Sequence, residues 1–197
     1  MARDRRDPST LPTLPDLIRP GLDLVFVGIN PGERSAERGH YYGHMGNAFW
    51  RRLSASPLVS REVTCEDDAD LAEPDPVTGL RIGFTDVVKR VLTDSSLVTR
   101  EEFETSIPAF RSRIRCASPR AVCFTGTSHF QAVYPRSWVA GAWGLQDVPA
   151  LEGAAVWVMP SPSGRASAHH GAIDGVLADL AESLTAGADE GSERRVR

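Results

Sequence analysis

The chain has 197 residues, 41% of them hydrophobic, and a formal net charge of −4. Seventeen Gly and fourteen Pro imply many loops, but the composition excludes a low-complexity protein and suits one globular domain. With no overall basic field, a nucleic-acid surface on such a chain must concentrate its Lys and Arg on one face.

In chain order, residues 1–20 carry Pro8, Pro12, Pro15 and Pro20 among mixed charges. They read as an extended arm. Leu22–Ile29 is a near-continuous apolar run, the signature of a strand buried on both faces. It ends in Gly28-Ile29-Asn30-Pro31-Gly32, a sharp turn after a strand. Asn30 there either satisfies its own backbone or serves chemistry. The turn is no phosphate-cradling loop, because the Gly-Lys-Ser/Thr portion is missing. The glycine-rich stretch 39–46 holds Tyr41 and Tyr42, as packing or as a wall for a flat ligand. Phe49, Trp50 and Leu53 predict a helix.

Arg81–Val88 reads as a strand end or loop. Thr99 with Glu102 resembles a capping box, and Phe103, Ile107, Phe110 and Ile114 form the apolar stripe of the helix it starts. Ala121–Thr125 and Ala154–Met159 are two more buried strands. After the second comes Met159-Pro160-Ser161-Pro162-Ser163-Gly164-Arg165, whose small residues suit close approach to a phosphodiester or a plain Pro/Ser loop. Ile173, Val176, Leu177, Leu180 and Leu184 predict a last helix, and 186–197 a frayed tail. The domain is thus expected over 21–185. Strands alternating with helices predict a three-layer α/β/α sandwich, with ligands at the carboxyl ends of the strands.

Cys65, Cys116 and Cys123 are scattered, without disulfide or metal-ligand spacing. The five histidines lack the spacing of a zinc site and read as surface or phosphate-contacting groups. No metal and no cofactor is expected. No apolar run approaches ~18 residues, so no membrane span is expected. The first residues form no secretory signal, which makes the cytoplasm the expected location, nucleoid-associated in a bacterium.

Four segments together resemble the mismatch-specific uracil/thymine DNA glycosylases of the uracil-DNA glycosylase superfamily. GINPG stands at 28–32, an N-x-F-W segment at Asn47-Ala48-Phe49-Trp50, a G-F-T-x-V-V segment at 83–88, and the Pro/Ser motif at 159–165. Their order and spacing agree across roughly residues 20–185. The resemblance implies a four-stranded parallel sheet between helices. It also implies a monomer that flips uracil, or thymine and related bases, from G:U or G:T mismatched double-stranded DNA and hydrolyses the N-glycosidic bond.

By the same resemblance, Asn30 positions the attacking water. Gly28, Ile29, Tyr42 and Asn47 bind the base, with Tyr42 stacking on it. Ser161, Ser163 and Gly164 hold the phosphate backbone. Arg165 is the wedge that fills the vacated stack and meets the orphaned guanine. Asp86 stands where the family has Lys or Asn. It reads either as a water activator stronger than an amide or as a helix cap. Arg34, Arg38, Arg51 and Arg52 are the further candidates for phosphate contact. Alternatives are a broader uracil glycosylase that also acts on single strands, and a non-catalytic binder of damaged DNA. A serine hydrolase is disfavoured, since no nucleophile elbow is present.

Overall fold

The computed structural model describes residues 10–164, 169 and 171–193. The described elements run β1 (Leu24–Gly28), α1 (Glu33–Arg38), α2 (Phe49–Ser54), β2 (Ile82–Asp86), α3 (Arg100–Ala117), β3 (Ala121–Phe124), α4 (Thr127–Val133), β4 (Gly144–Leu145), β5 (Ala155–Val158) and α5 (Gly171–Glu193). The sheet order is β2-β1-β3-β5-β4. The first four strands pair in parallel, and β4 closes the β5 edge antiparallel. The expected three-layer sandwich is found, with five strands instead of four. The extra strand has two residues, too few for any sequence period to reveal.

Strand alternation builds the three layers. Leu24 and Phe26 of β1 point to one face, where they join Phe84, Cys123 and Trp157 beneath α2 and α5. Val25 and Val27 point to the other, with Val122, Phe124, Val156 and Val158 beneath α3 and α4. Both faces are covered, which is why the strands read as unbroken apolar runs. Within the Arg81–Val88 stretch, Ile82–Asp86 forms a strand. Gly83, Thr85 and Asp86 interrupt its apolar pattern, but parallel pairing to β1 overrides the weak local signal.

The arm is docked where it is described. Leu17 exchanges two 2.9 Å backbone hydrogen bonds with Phe84, and Leu14 is buried. This contact covers the exposed edge of β2. Gly83 has no side chain because Leu22 and the Leu17 carbonyl occupy the space a Cβ would need. At the other end, α5 continues to Glu193, beyond the Ala186 boundary that composition predicts.

Helix α3 starts as expected. The Thr99 hydroxyl accepts from the Glu102 N–H, and the Glu102 carboxylate accepts from the Thr99 N–H. Glu102 is also paired with Arg90, and these bonds hold its carboxyl down at about 2. Thr99→Ala is expected to cost about 1 kcal/mol of stability, read from a shifted urea midpoint with an unchanged slope.

Candidate active site

The chain steps from β1 to β2 on one side and from β3 to β5 on the other. A crevice therefore opens at the carboxyl ends of β1 and β3, where the connections diverge. A cavity of about 590 Å³ lies there. It brings together Gly28, Ile29, Asn30, Tyr42, Asn47, Asp86, Ser161, Ser163 and Gly164, drawn from four separate stretches of chain. Arg165, expected as the wedge, lies outside the described residues.

Asn30 is held by its amide nitrogen. Nδ2 donates to the carbonyls of Pro31 at 2.9 Å and Arg90 at 3.2 Å. Two acceptors around the same atom fix the orientation of the carboxamide, since its oxygen would be repelled there. Oδ1 is consequently left as an acceptor with no partner among the described residues. The turn is steadied by backbone bonds: the Leu92 N–H donates to the Pro31 carbonyl, and the Val88 N–H to that of Ile29.

Asp86 stands beside Gly28 in the parallel register. No helix starts at this position, so the helix-cap reading is withdrawn. The side chain is buried, and its Oδ2 has no hydrogen-bond partner among the described residues. Burial raises its pKa to about 7. Lys89 and Arg113 oppose that rise, and Asp16 reinforces it. The carboxyl crosses the place where a side chain on residue 28 would begin. Gly28→Ala is therefore expected to cost about 1–3 kcal/mol through overpacking. Asp86→Ala on top of it should recover much of that loss in a urea melt, because the colliding atoms are gone.

Tyr42 adopts φ 50°, an uncommon conformation for a residue with a side chain. Two contacts hold it there. Its ring stacks on Phe49 with centroids 4.1 Å apart, and its hydroxyl lies 3.1 Å from the Thr125 Oγ1. Burial pushes the Tyr42 phenol up, so it stays neutral. Asn47 accepts from the Phe49 N–H through Oδ1 at 2.9 Å, which anchors the start of α2. The Ala48 N–H donates to the Pro162 carbonyl at 2.9 Å and ties this turn to the second loop. In that loop the Ser161 hydroxyl donates to the Ser163 hydroxyl at 3.1 Å.

Several expected surface groups are otherwise engaged. His129 is fully buried, contrary to the surface or phosphate-contacting reading. It lies 2.9 Å from the Val27 carbonyl through Nε2, and burial lowers its pKa to about 4. As a neutral ring it donates that bond. His40 pairs with Asp68 at 3.0 Å. Arg34 pairs with Glu37, Arg38 with Glu66 and Arg52 with Asp174. Among the described residues Arg51 makes no ion pair, and no group of three His, Cys, Asp or Glu is placed to hold a metal.

Thr125 was not singled out by sequence, although its place at the end of a buried strand is the signal that finds it. Asp16, Lys89 and Arg113, grouped behind Asp86, carry no such signal.

The family model described as the Uracil DNA glycosylase superfamily matches residues 15–181. The fold is also similar to a solution NMR structure from Methanosarcina acetivorans, a protein provisionally assigned as a uracil DNA glycosylase. The TM-score is 0.58 at 20% identity, with 89% of this chain and 96% of that chain covered. At that identity the likeness speaks for the fold alone.

Proposed function

Since the chain belongs to the uracil DNA glycosylase superfamily, whose enzymes act on uracil-containing DNA, we propose that it excises uracil opposite guanine from duplex DNA. Thymine and related damaged bases in the same mismatch are the secondary substrates. The observation that carries this reading is the tethered Asn30 amide, whose Oδ1, unpartnered among the described residues, shares one cavity with the Asp86 carboxyl.

The glycosidic bond lies within the base stack, so the nucleotide must first rotate into the cavity. Tyr42, backed by Phe49, then offers a rigid ring for the base to stack on. As the bond between C1′ and the base nitrogen breaks, its electron pair leaves with the base and the sugar becomes cationic. Hydrogen-bond donors aimed at the base carbonyl stabilise the departing anion. Asn47 suits that role, because its Oδ1 is already engaged and its Nδ2 carries the donors. A water held by the Asn30 Oδ1 attacks C1′ and gives up a proton. An amide cannot take that proton, whereas an ionised carboxylate can. Asp86 therefore accepts it and returns it to solvent or to the released base. The loop Ser161–Gly164 holds the flanking phosphates, and Arg165 enters the gap in the stack.

The test is abasic-site formation by the purified protein on four oligonucleotides: a G:U duplex, a G:T duplex, an A:U duplex and single-stranded uracil. Strand breakage after alkali is expected first with the G:U duplex. Equal cleavage of the single strand points to the broader glycosylase. Binding of all four without any abasic product overturns the enzymatic reading.

A further inference from the structure

Asp86 is a buried acid between two cations, yet it makes no ion pair among the described residues. The reason lies on the arm. Asp16 accepts from the Thr85 hydroxyl at 2.6 Å and from the Lys89 ammonium at 3.0 Å. The Arg113 guanidinium lies 3.3 Å from the other Asp16 oxygen. Arg113 does reach Asp86, but it donates to the backbone carbonyl at 2.8 Å and not to the carboxyl. Lys89 also reaches the Tyr41 hydroxyl, which itself donates to the Pro15 carbonyl. Both cations nearest Asp86 are thus directed to a carboxylate on a different segment.

We propose that Asp16 is a positioning residue: it gathers Lys89 and Arg113 onto itself and so leaves the Asp86 carboxyl at the cavity wall without an ionic partner. A carboxylate paired with Lys or Arg is a weak proton acceptor, because the cation stabilises its charged form. An unpaired one in a buried site holds a proton more firmly and is the better base once ionised. The groups that face Asp86 come from every side. Asp16 is on the arm, Lys89 follows β2, Arg113 is on α3, and Tyr41 and Tyr42 lie in the turn after α1. The two tyrosines are held neutral by burial. Asp16 is therefore the group whose charge decides where the two cations go. Docking of the arm on β2, through Leu17 and Phe84, carries Asp16 to this place.

The inference rests on the role given to Asp86 above, so two readouts are needed. One is the pH titration of the Asp86 carboxyl in the full chain by carbon NMR, which requires no activity. The other is the pH dependence of single-turnover excision from a G:U duplex.

Asp16→Asn is expected to move both midpoints toward acid, because it removes a negative charge and frees two cations. Excision well below the wild-type midpoint then rises about tenfold relative to its own plateau for each pH unit the midpoint falls. Asp16→Glu is expected to restore the wild-type profile. Unmoved midpoints in a folded Asp16→Asn protein overturn the inference.

If Asp16→Asn does not fold, Lys89→Gln answers the same question with the opposite sign. It removes a cation and leaves the arm in place, so the Asp86 midpoint moves toward alkaline pH. No displacement there overturns the inference as well. An acid limb that survives Asp86→Asn defeats the proton-acceptor role of Asp86. The NMR titration still shows separately whether Asp16 governs that carboxyl.

Discussion

Asn30→Ala is expected to lower single-turnover uracil excision by about 100- to 1,000-fold, with little change in duplex affinity. The Oδ1 acceptor is buried and has no hydrogen-bond partner among the described residues. Losing it frees the water from its alignment with C1′, and a poorly placed reactant costs factors of that size. The more instructive variant is Asn30→Asp, which on simple chemical grounds adds a base. Its second oxygen would face the carbonyls of Pro31 and Arg90, which Nδ2 now satisfies. The expected result is lower stability, by about 1–3 kcal/mol, and no gain in rate. A faster Asn30→Asp enzyme would contradict the geometry of the turn.

Asp86→Asn has the second large effect, and it depends on pH in both rate and stability. In the wild type, excision is expected to rise with pH through about 7 as the Asp86 carboxyl ionises. The variant keeps the shape of the side chain and loses the acid limb, with a plateau lower by about 100- to 10,000-fold. Unchanged single-turnover excision by Asp86→Ala, beside an inactive Asn30→Ala, would remove Asp86 from the mechanism.

Stability moves in the opposite sense. The carboxyl ionises at its ordinary value of 3.8 in the unfolded chain but at about 7 in the fold. Between those values the folded protein keeps a proton that the unfolded chain has released. Wild-type stability therefore falls as pH rises across that window and levels off above it. Each pH unit of the window is worth about 1.4 kcal/mol for this one group. Asp86→Asn cannot ionise, so it is expected to match the wild type in a thermal melt below the window. Above pH 7 it is expected to exceed the wild type. Equal melting temperatures for the two proteins on the alkaline side would show that the carboxyl is not buried as described.

The three apolar strands, the capped helix α3 and the motif residues around Asn30 were legible along the chain. In each case the cause is local. A strand covered on both faces has to be apolar throughout, and a helix start needs its acceptors within a turn. A tight turn after a strand needs residues such as Asn-Pro-Gly. Strand β2 was half visible, since Gly83 and Asp86 serve neighbours rather than the strand itself. Gly83 makes room for the arm, and Asp86 faces the cavity.

The sequence by itself determined a three-layer α/β domain with Asn30 in a motif at a strand end. It also left Asp86 with two readings, base or cap. Only the tertiary structure removed the cap, since no helix starts at Asp86, and only it placed Asp16, Lys89 and Arg113 around that carboxyl. Asp16 stands 69 residues from Thr85 and 73 from Lys89. The charge state of a buried acid depends on its solvation and on the charges within a few ångströms. Both are properties of folded distance, which no local pattern in the chain encodes.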